Sequence, residues 1–157
     1  MASTLKVTLQ EDLTIEGINY SSSRTKTFST ITSVYKHIIA VSTTTGTILN
    51  FADAASGVGT LDRDSIEYLR ITNLDTTNFV ILGFEKEAST ASGYWIKLDA
   101  GKSYIMATPN VTTEHPQLAA HDSAHAVPSF VNTEAITADA DTAACNIELM
   151  VAMNATT

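Results

Sequence analysis

Four short runs of β-prone residues lie between positions 64 and 106, and they constrain the fold more than any other feature of the sequence. The runs cover residues 65–74, 79–85, 94–98 and 103–106. The segments between them contain turn-forming asparagine, aspartate and glycine. This arrangement is typical of antiparallel strands joined by hairpins. We therefore expect a β-sheet here, and the rest of the chain should supply strands that pack against it.

Alternating apolar and polar residues predict a strand at each end of the chain. Near the N-terminus the apolar residues occupy odd positions, namely Leu5, Val7, Leu9, Leu13 and Ile15. Residues 145–154 alternate in the same way. A period of two places one face of a strand on the core and the other in water. Glu11 interrupts the first apolar face and predicts a bend or bulge there.

Further β-prone runs cover residues 25–33, 34–43 and 47–51, whereas residues 18–24 and 53–62 have the composition of loops. The sequence thus predicts an all-β fold, an antiparallel β-sandwich of eight or nine strands with long loops. The jelly roll is the commonest eight-strand version of such a sandwich, and other sandwich topologies remain open. A length of 157 residues predicts a single domain over residues 1–157.

The segment 108–144 differs in composition from the rest of the chain. It contains all three prolines and three of the four histidines, and it is rich in alanine. We expect an extended loop or arm here, with weak strand propensity only at residues 129–131 and 134–137. The segment also allows a short helix over residues 117–126. Loops of this length inside a domain are usually functional or make contacts with partners.

The charge of the chain argues against nucleic acid as a direct partner. The formal net charge is −8, and an acidic surface is repelled by phosphate backbones. The N-terminal residues lack the apolar core of a signal peptide. No run approaches the roughly 18–20 apolar residues that span a bilayer. We therefore expect no membrane contact. The single Cys145 cannot form an internal disulfide, so the fold does not depend on an oxidising compartment.

Clustered histidines and acids raise the question of a metal site. His115, His121 and His125 lie close together in sequence, and a helix would place the last two on one face. No further residue completes a recognised ligand pattern, so a polar surface loop or a subunit contact is the favoured interpretation. Asp139 and Asp141 resemble the start of a calcium loop, but its glycine and final glutamate are missing. We therefore predict no metal ion and no cofactor.

Catalysis is not expected from this sequence. It contains no nucleophile elbow and no glycine-rich phosphate loop. Cys145 lies on the apolar side of its strand and should be buried. The carboxylate pairs Glu85/Glu87 and Asp62/Asp64 are more simply explained as solvated strand ends than as an acid and a base. Tyr94 and Trp95 could stack on a sugar ring, although aromatic residues at a strand start more often pack in a core or an interface.

In residues 79–84 both the odd and the even positions carry apolar side chains. A strand with one face in water would carry polar side chains at every second position. Either this strand is central with both faces covered, or its outer face meets another subunit. Only 17% of the residues are charged, so little charge repulsion opposes the packing of subunits. We predict a homo-oligomer, a dimer or a trimer. Its expected interface residues are Phe79, Val80, Ile81, Leu82, Phe84, Tyr94 and Trp95.

Two stretches of the chain, residues 68–84 and 96–106, resemble small structural proteins of tailed-bacteriophage particles. The recurring pattern is a strand, Asn-Leu, a turn, Asn, another strand, and then Leu-x-x-Gly-[Lys/Glu]-Ser before a further strand. Here it comprises Asn73-Leu74, Asn78 and residues 98–103, which read LDAGKS. The first twenty residues also resemble the start of marine phage virion proteins. The resemblance covers about two thirds of the chain, and the segment 108–144 lies outside it.

This resemblance implies a β-sandwich that decorates the outer surface of a phage head as a cement protein. The implied partners are the major capsid protein or other virion proteins, and the implied location is the virion, after synthesis in the host cytoplasm. A receptor-binding module of the tail or its fibres is the alternative, with Tyr94 and Trp95 as its first candidates. A metal-dependent enzyme that uses the histidine-rich loop is a second alternative.

Overall fold

The computed structural model describes residues 3–52, 59–85, 93–107, 119–121 and 130–154. Within these ranges the chain is nearly all β-strand, and its one helical element is the single 3-10 turn Arg63–Ser65. Two antiparallel sheets pack against each other, which confirms the predicted all-β sandwich.

The described strands, in chain order, are β1 (Ser3–Glu11), β2 (Thr14–Ile15), β3 (Ile18–Asn19), β4 (Ser22–Ile31), β5 (Ser33–Val41), β6 (Gly46–Ala52), β7 (Thr60–Asp62), β8 (Ile66–Asn73), β9 (Val80–Glu85), β10 (Gly93–Leu98), β11 (Ser103–Ala107), β12 (Ala119–His121), β13 (Phe130–Asn132), β14 (Ala135–Ala140) and β15 (Cys145–Met153). One sheet has the order β10-β9-β14-β6-β7, and the facing sheet has the order β11-β8-β15-β5. All pairs are antiparallel except β6 with β7.

The strand order is that of a jelly roll. Strand β5 pairs with β15, β6 with β14, β8 with β11, and β9 with β10, as if one long hairpin had been folded over. The pairs β8–β15 and β9–β14 then close the two sheets. Eight strands in two sheets with this nested pairing are the defining arrangement of the fold.

The four predicted strands between positions 64 and 106 are all present, but only one of their three connections is a hairpin. Strands β9 and β10 pair directly, whereas the chain crosses to the other sheet between β8 and β9 and again between β10 and β11. The expectation of successive hairpins was therefore wrong. A strand with one apolar face can bury that face against the core from either sheet. The spacing of β-prone runs along the sequence therefore does not reveal which strands pair with each other.

Side chains from both sheets fill the space between the layers. The fully buried residues with no accessible surface include Ile71, Val80, Leu82, Phe84, Ile136, Ile147, Leu149 and Val151. They come from β8, β9, β14 and β15, each of which is paired on both sides within its sheet. Cys145 is 1% exposed within the same cluster, so its predicted burial is confirmed.

Several predicted loops contain strands. Within the segment 108–144, β14 is a central strand between β9 and β6, and β12 pairs with β13. The helix expected over residues 117–126 is wrong at Ala119–His121, and its other residues lie outside the described ranges. The loop predicted at 18–24 contains β3 and the start of β4, and that at 53–62 contains β7. In each case a partner strand outweighs weak local propensity.

Asn73 connects three chain segments at the end of β8. Its side chain is fully buried, and its Nδ2 donates to the carbonyl oxygens of Asn78 at 2.9 Å and Leu98 at 3.1 Å. Its Oδ1 accepts the backbone N–H of Asp75 at 3.0 Å. The Asp75 carboxylate in turn accepts backbone N–H groups of Asn78 and Thr77, which lower its pKa. The asparagine thus fixes the turn before β9 to the end of β10.

Candidate functional site

Three of the residues predicted at a subunit interface lie in the core of the chain itself. Val80, Leu82 and Phe84 point from β9 into the sandwich and have no accessible surface. They pack against the facing sheet and therefore offer nothing to a neighbouring subunit. For these three residues the interface prediction is corrected: β9 is a central strand between β10 and β14, which was the other interpretation of its apolar sequence.

The other expected interface residues are less buried. Phe79 and Ile81 are partly exposed, and the Lys97 ammonium lies 4.3 Å from the centre of the Phe79 ring. Ile81 faces away from the core, since it alternates with Val80 and Leu82 along β9. For Phe79 and Ile81 a role in a subunit interface stays a prediction.

Tyr94 and Trp95 point to opposite faces of β10. Tyr94 faces inward, with its ring stacked on Phe84 at 4.6 Å between centroids and an interplanar angle of 7°. Burial raises the pKa of its phenol, and the Tyr104 hydroxyl at 3.3 Å raises it further. Trp95 faces outward and is 49% exposed. The two rings therefore cannot stack together on one sugar ring, and only Trp95 is presented to solvent.

Three polar atoms converge over Gly83 on the outward face of the same sheet. A Cβ atom at this position would lie 2.5 Å from Thr137 Oγ1, 2.7 Å from Trp95 Nε1 and 2.9 Å from Glu85 Oε1. The Thr137 hydroxyl donates to Glu85 Oε1 at 2.8 Å, and both residues are buried, so the prediction of a solvated strand end is wrong for Glu85. Gly83 therefore allows the tryptophan ring and the buried carboxylate to approach the backbone closely.

Replacing Gly83 by alanine should lower the free energy of unfolding by about 2 kcal/mol, because the new methyl group displaces these three side chains. Denaturant titration followed by Trp95 fluorescence measures the change. Gly46→Ala is the matched control on β6, since the nearest atom to its Cβ would be Thr44 O at 4.0 Å. The control should change stability by less than about 0.5 kcal/mol. If the two substitutions changed the free energy of unfolding equally, the close approach of the three polar atoms to Gly83 would be contradicted.

Among the described residues, five of the ten exposed large hydrophobic side chains lie on an N-terminal hairpin, which we call the arm (residues 3–31). Strands β1 and β4 keep one register from Leu5↔Phe28 to Glu11↔Ser22, and β2 and β3 continue it to Ile15↔Ile18. Glu16 and Gly17 form the turn with φ of 51° and 78°, as a two-residue type I′ hairpin requires.

The two faces of the arm differ sharply in polarity. One face carries only polar side chains, including the cross-strand pair Thr8 and Thr25, whose hydroxyl oxygens are 2.9 Å apart. The other face carries the apolar side chains of the arm, namely Leu5, Val7, Leu9, Leu13, Ile15, Ile18, Tyr20 and Phe28. Four polar residues lie among them on this face, Glu11, Ser22, Arg24 and Lys26. The arm is therefore an amphipathic two-stranded ribbon.

Only the base of this apolar face is covered. Phe28 and Ile31 are buried against Tyr68 and Ala152 on the outward side of the sheet β11-β8-β15-β5, with Leu5 and Val7 packed beside them. Every residue from 8 to 27 is exposed, including Leu9 at 63% and Ile18 at 56%. The prediction that the alternating face of residues 5–15 lies on the core is thus correct for Leu5 and Val7 and wrong beyond them.

The outward side of this sheet also carries an ionic cluster. Glu148 on β15 pairs with Lys36 at 3.2 Å and with Arg70, so one carboxylate links β5 to β8. The hydrogen bond from Lys36 and, after it, that from Arg70 hold the pKa of Glu148 below its usual value. The cluster contains two cations and one carboxylate, so a single positive charge is left over.

The chemistry-bearing residues of the histidine-rich segment lie largely outside the described ranges, including His115 and His125. Among the residues that the structure describes, no group of three or more histidine, cysteine, aspartate or glutamate side chains could hold a metal ion.

Asp139 lies within β14 and Asp141 directly after it. Burial raises the pKa of the Cys145 thiol. No helix in the described part of the chain has the length and hydrophobicity that a membrane crossing requires.

The described surface therefore has three distinctive features, which are the arm, the ionic cluster around Glu148 and the exposed Trp95. No family model, curated protein or solved structure matches this chain.

Proposed function

We propose that this chain is a structural protein of a tailed-bacteriophage particle, a decoration or cement protein bound to the major capsid protein on the outer surface of the head. The observation that carries this proposal is the arm, whose apolar face is exposed from Leu9 to Tyr20. An isolated two-stranded ribbon is at best marginally stable in water, so such a face favours a protein surface that covers it.

The body and the arm have separate roles in this mechanism. The jelly roll supplies a stable body, and the arm extends from it by about ten residues, or roughly 30 Å at the usual rise of a strand. This reach allows the arm to lie across the joint between two capsid subunits. Because the arm binds the assembled shell and not the free subunits, binding stabilises the shell by mass action.

The acidic composition supports an outer location. A formal net charge of −8 opposes contact with packaged DNA, whereas it does not hinder binding to protein on the outside of the shell. The alternatives receive less support. Trp95 is the one residue of the expected sugar platform that is exposed, because Tyr94 packs on Phe84. The metal-dependent alternative depends on histidine side chains outside the described residues.

The experiment is a sedimentation assay with expanded, DNA-free heads assembled from the major capsid protein of the same phage. Wild-type protein should bind saturably and at a fixed number of copies per head. The double variant Ile15→Thr/Ile18→Thr keeps the β-branched cross-strand pair and replaces apolar surface by hydroxyl groups. We expect its Kd to rise about 100-fold, as for the loss of a central apolar contact.

The matched control is Thr8→Ser/Thr25→Ser, a cross-strand pair on the polar face of the arm. It keeps the hydroxyl pair and should bind heads like the wild type. Both variants should unfold at the wild-type denaturant concentration, since residues 8–27 lie outside the core. An absence of wild-type binding would refute the decoration role. Equal binding by both variants would show instead that the arm is not the contact.

A further inference from the structure

Strand β5 forms an open edge of the sheet β11-β8-β15-β5. It is the last strand in that order, and it pairs with β15 over all nine residues without a register shift. Among the described strands no other pairs with its second side. A regular strand in this position presents a row of backbone N–H and C=O groups that can pair with another chain.

The other sheet edges are less suited to pairing. Strand β7 has three residues and β11 has five. Strand β10 has six, and it lies next to β12. Natural proteins blunt exposed edges with proline, bulges, very short strands or charged side chains such as lysine. Of these, β5 has only Lys36, whose ammonium group pairs with Glu148 of the same sheet. The longest and most regular edge of the sandwich is therefore also its least protected one.

The side chains of β5 add apolar surface to this edge. Val34 and Ile38 are 55% and 63% exposed, and they point to the same outward face, two pleats apart. Ala40 on that face is also exposed. These residues would be half covered by any strand that pairs alongside β5, which gives the edge an apolar gain in addition to its backbone hydrogen bonds.

The sequence of β5 is compatible with itself in antiparallel pairing. In a register centred on His37, Val34 lies opposite Ala40, and Lys36 lies opposite Ile38. The two copies of Lys36 therefore do not face each other, and each is already paired with Glu148 of its own chain at 3.2 Å. The lysine stem can then lie along Ile38 of the partner copy. At the centre, each His37 ring is tilted against Tyr35 at an interplanar angle of 41°, with 4.2 Å between centroids.

We propose that two copies of this chain pair through β5 in antiparallel fashion about His37, joining two four-stranded sheets into one eight-stranded sheet across a two-fold axis. The occupant of the edge is a second copy of the chain because, in this register, exposed apolar side chains of β5 meet each other and no lysine lies directly opposite another. This inference does not rest on the proposed function, since it concerns the free protein.

Two surface isoleucines on the outward side of this sheet provide a matched pair of variants. Ile38 on β5 is 63% exposed, and Ile105 on the opposite edge strand β11 is 50% exposed. Light scattering after size exclusion should give wild-type protein and Ile105→Glu a mass of twice 16.8 kDa. Ile38→Glu should weaken the dimer at least 100-fold and elute as a monomer at micromolar concentration. A monomeric wild type, or equal effects of the two substitutions, would overturn the proposal.

Single cysteines test the register. His37→Cys places two thiols opposite each other across the axis, within the Cα separation that a disulfide allows, so mild oxidation should cross-link the dimer. Ala40→Cys is the control, because its two copies would lie about 20 Å apart, six residues along the pair. The native Cys145 is 1% exposed and does not compete. Cross-linking by Ala40→Cys but not by His37→Cys would exclude this pairing. Head binding is measured separately, so failure of either proposal leaves the other testable.

Discussion

Asn73→Asp is expected to lower the free energy of unfolding by about 4 kcal/mol, measured by denaturant titration at neutral pH. The side chain of Asn73 is fully buried and donates through Nδ2 to two backbone carbonyls, those of Asn78 and Leu98. An aspartate of nearly identical shape cannot donate at this position. The substitution therefore tests the hydrogen bonds and not the packing.

The effect is large because two penalties act at one atom. Both carbonyl oxygens lose their donor, and each unsatisfied buried acceptor costs about 1–3 kcal/mol. In addition, a carboxylate oxygen would face those carbonyls, so a buried charge meets two negative dipole ends. The substitution would also loosen the turn before β9 and the end of β10, which Asn73 holds together.

Asn50→Asp on β6 is the control, because Asn50 is exposed on its strand. The same chemical change there should alter the free energy of unfolding by less than about 0.5 kcal/mol. If Asn73→Asp also changed stability by less than about 1 kcal/mol, the buried hydrogen bonds of Asn73 would be absent in solution.

The strands themselves could be predicted from the sequence because each combines β-branched or aromatic residues with turn residues at its ends. The bounds expected for β8 to β11 agree with the structure to within one or two residues. Strand β14 was only partly recognised. Its sequence, AITADA, has three alanines and one aspartate, so its position between β9 and β6 depends on neighbours far away in sequence.

The pairing of strands could not be predicted in this way, because the apolar face of a strand does not specify which sheet the strand belongs to. The jelly-roll order links β5 with β15, which are separated by about a hundred positions in the chain. Within the two sheets of the sandwich, the described strands form one hairpin, β9–β10, and the sequence indicated it correctly. The remaining pairs follow from packing of the whole domain.

The candidate site shows the same limit. Alternation predicted that residues 5–15 form a strand with one apolar face, and this face exists. Alternation does not reveal whether that face is covered, and beyond Val7 it is exposed. Conversely, residues 79–84 are apolar because Val80 and Leu82 line the core, while the outward positions hold Ile81 and Gly83. Three of the residues predicted to be exposed to a neighbour, Val80, Leu82 and Phe84, are thus core residues, whereas five exposed large hydrophobic side chains lie on the arm.

Phe84→Ala is expected to lower the free energy of unfolding by about 4 kcal/mol, measured in the same way. The ring is fully buried, stacked on Tyr94 and tilted against Tyr104 at 5.3 Å between centroids. Its removal leaves a cavity between two sheets that cannot collapse, because β9 is held on both sides by β10 and β14. Phe84→Leu, which leaves a smaller cavity, should lower the free energy by about 1–2 kcal/mol and remain folded.

The opposite behaviour would follow if Phe84 contacted another subunit. The substitution Phe84→Ala would then lower the molecular mass of the oligomer in solution. It would leave the free energy of unfolding of the single chain almost unchanged. Trp95→Ala separates these cases, because Trp95 neighbours Phe84's partner Tyr94 in sequence but is 49% exposed on the outward face. We expect Trp95→Ala to lower stability by much less than Phe84→Ala. If the Phe84→Leu variant had wild-type stability but a different oligomeric mass, Phe84 would lie in a subunit interface and not in the core.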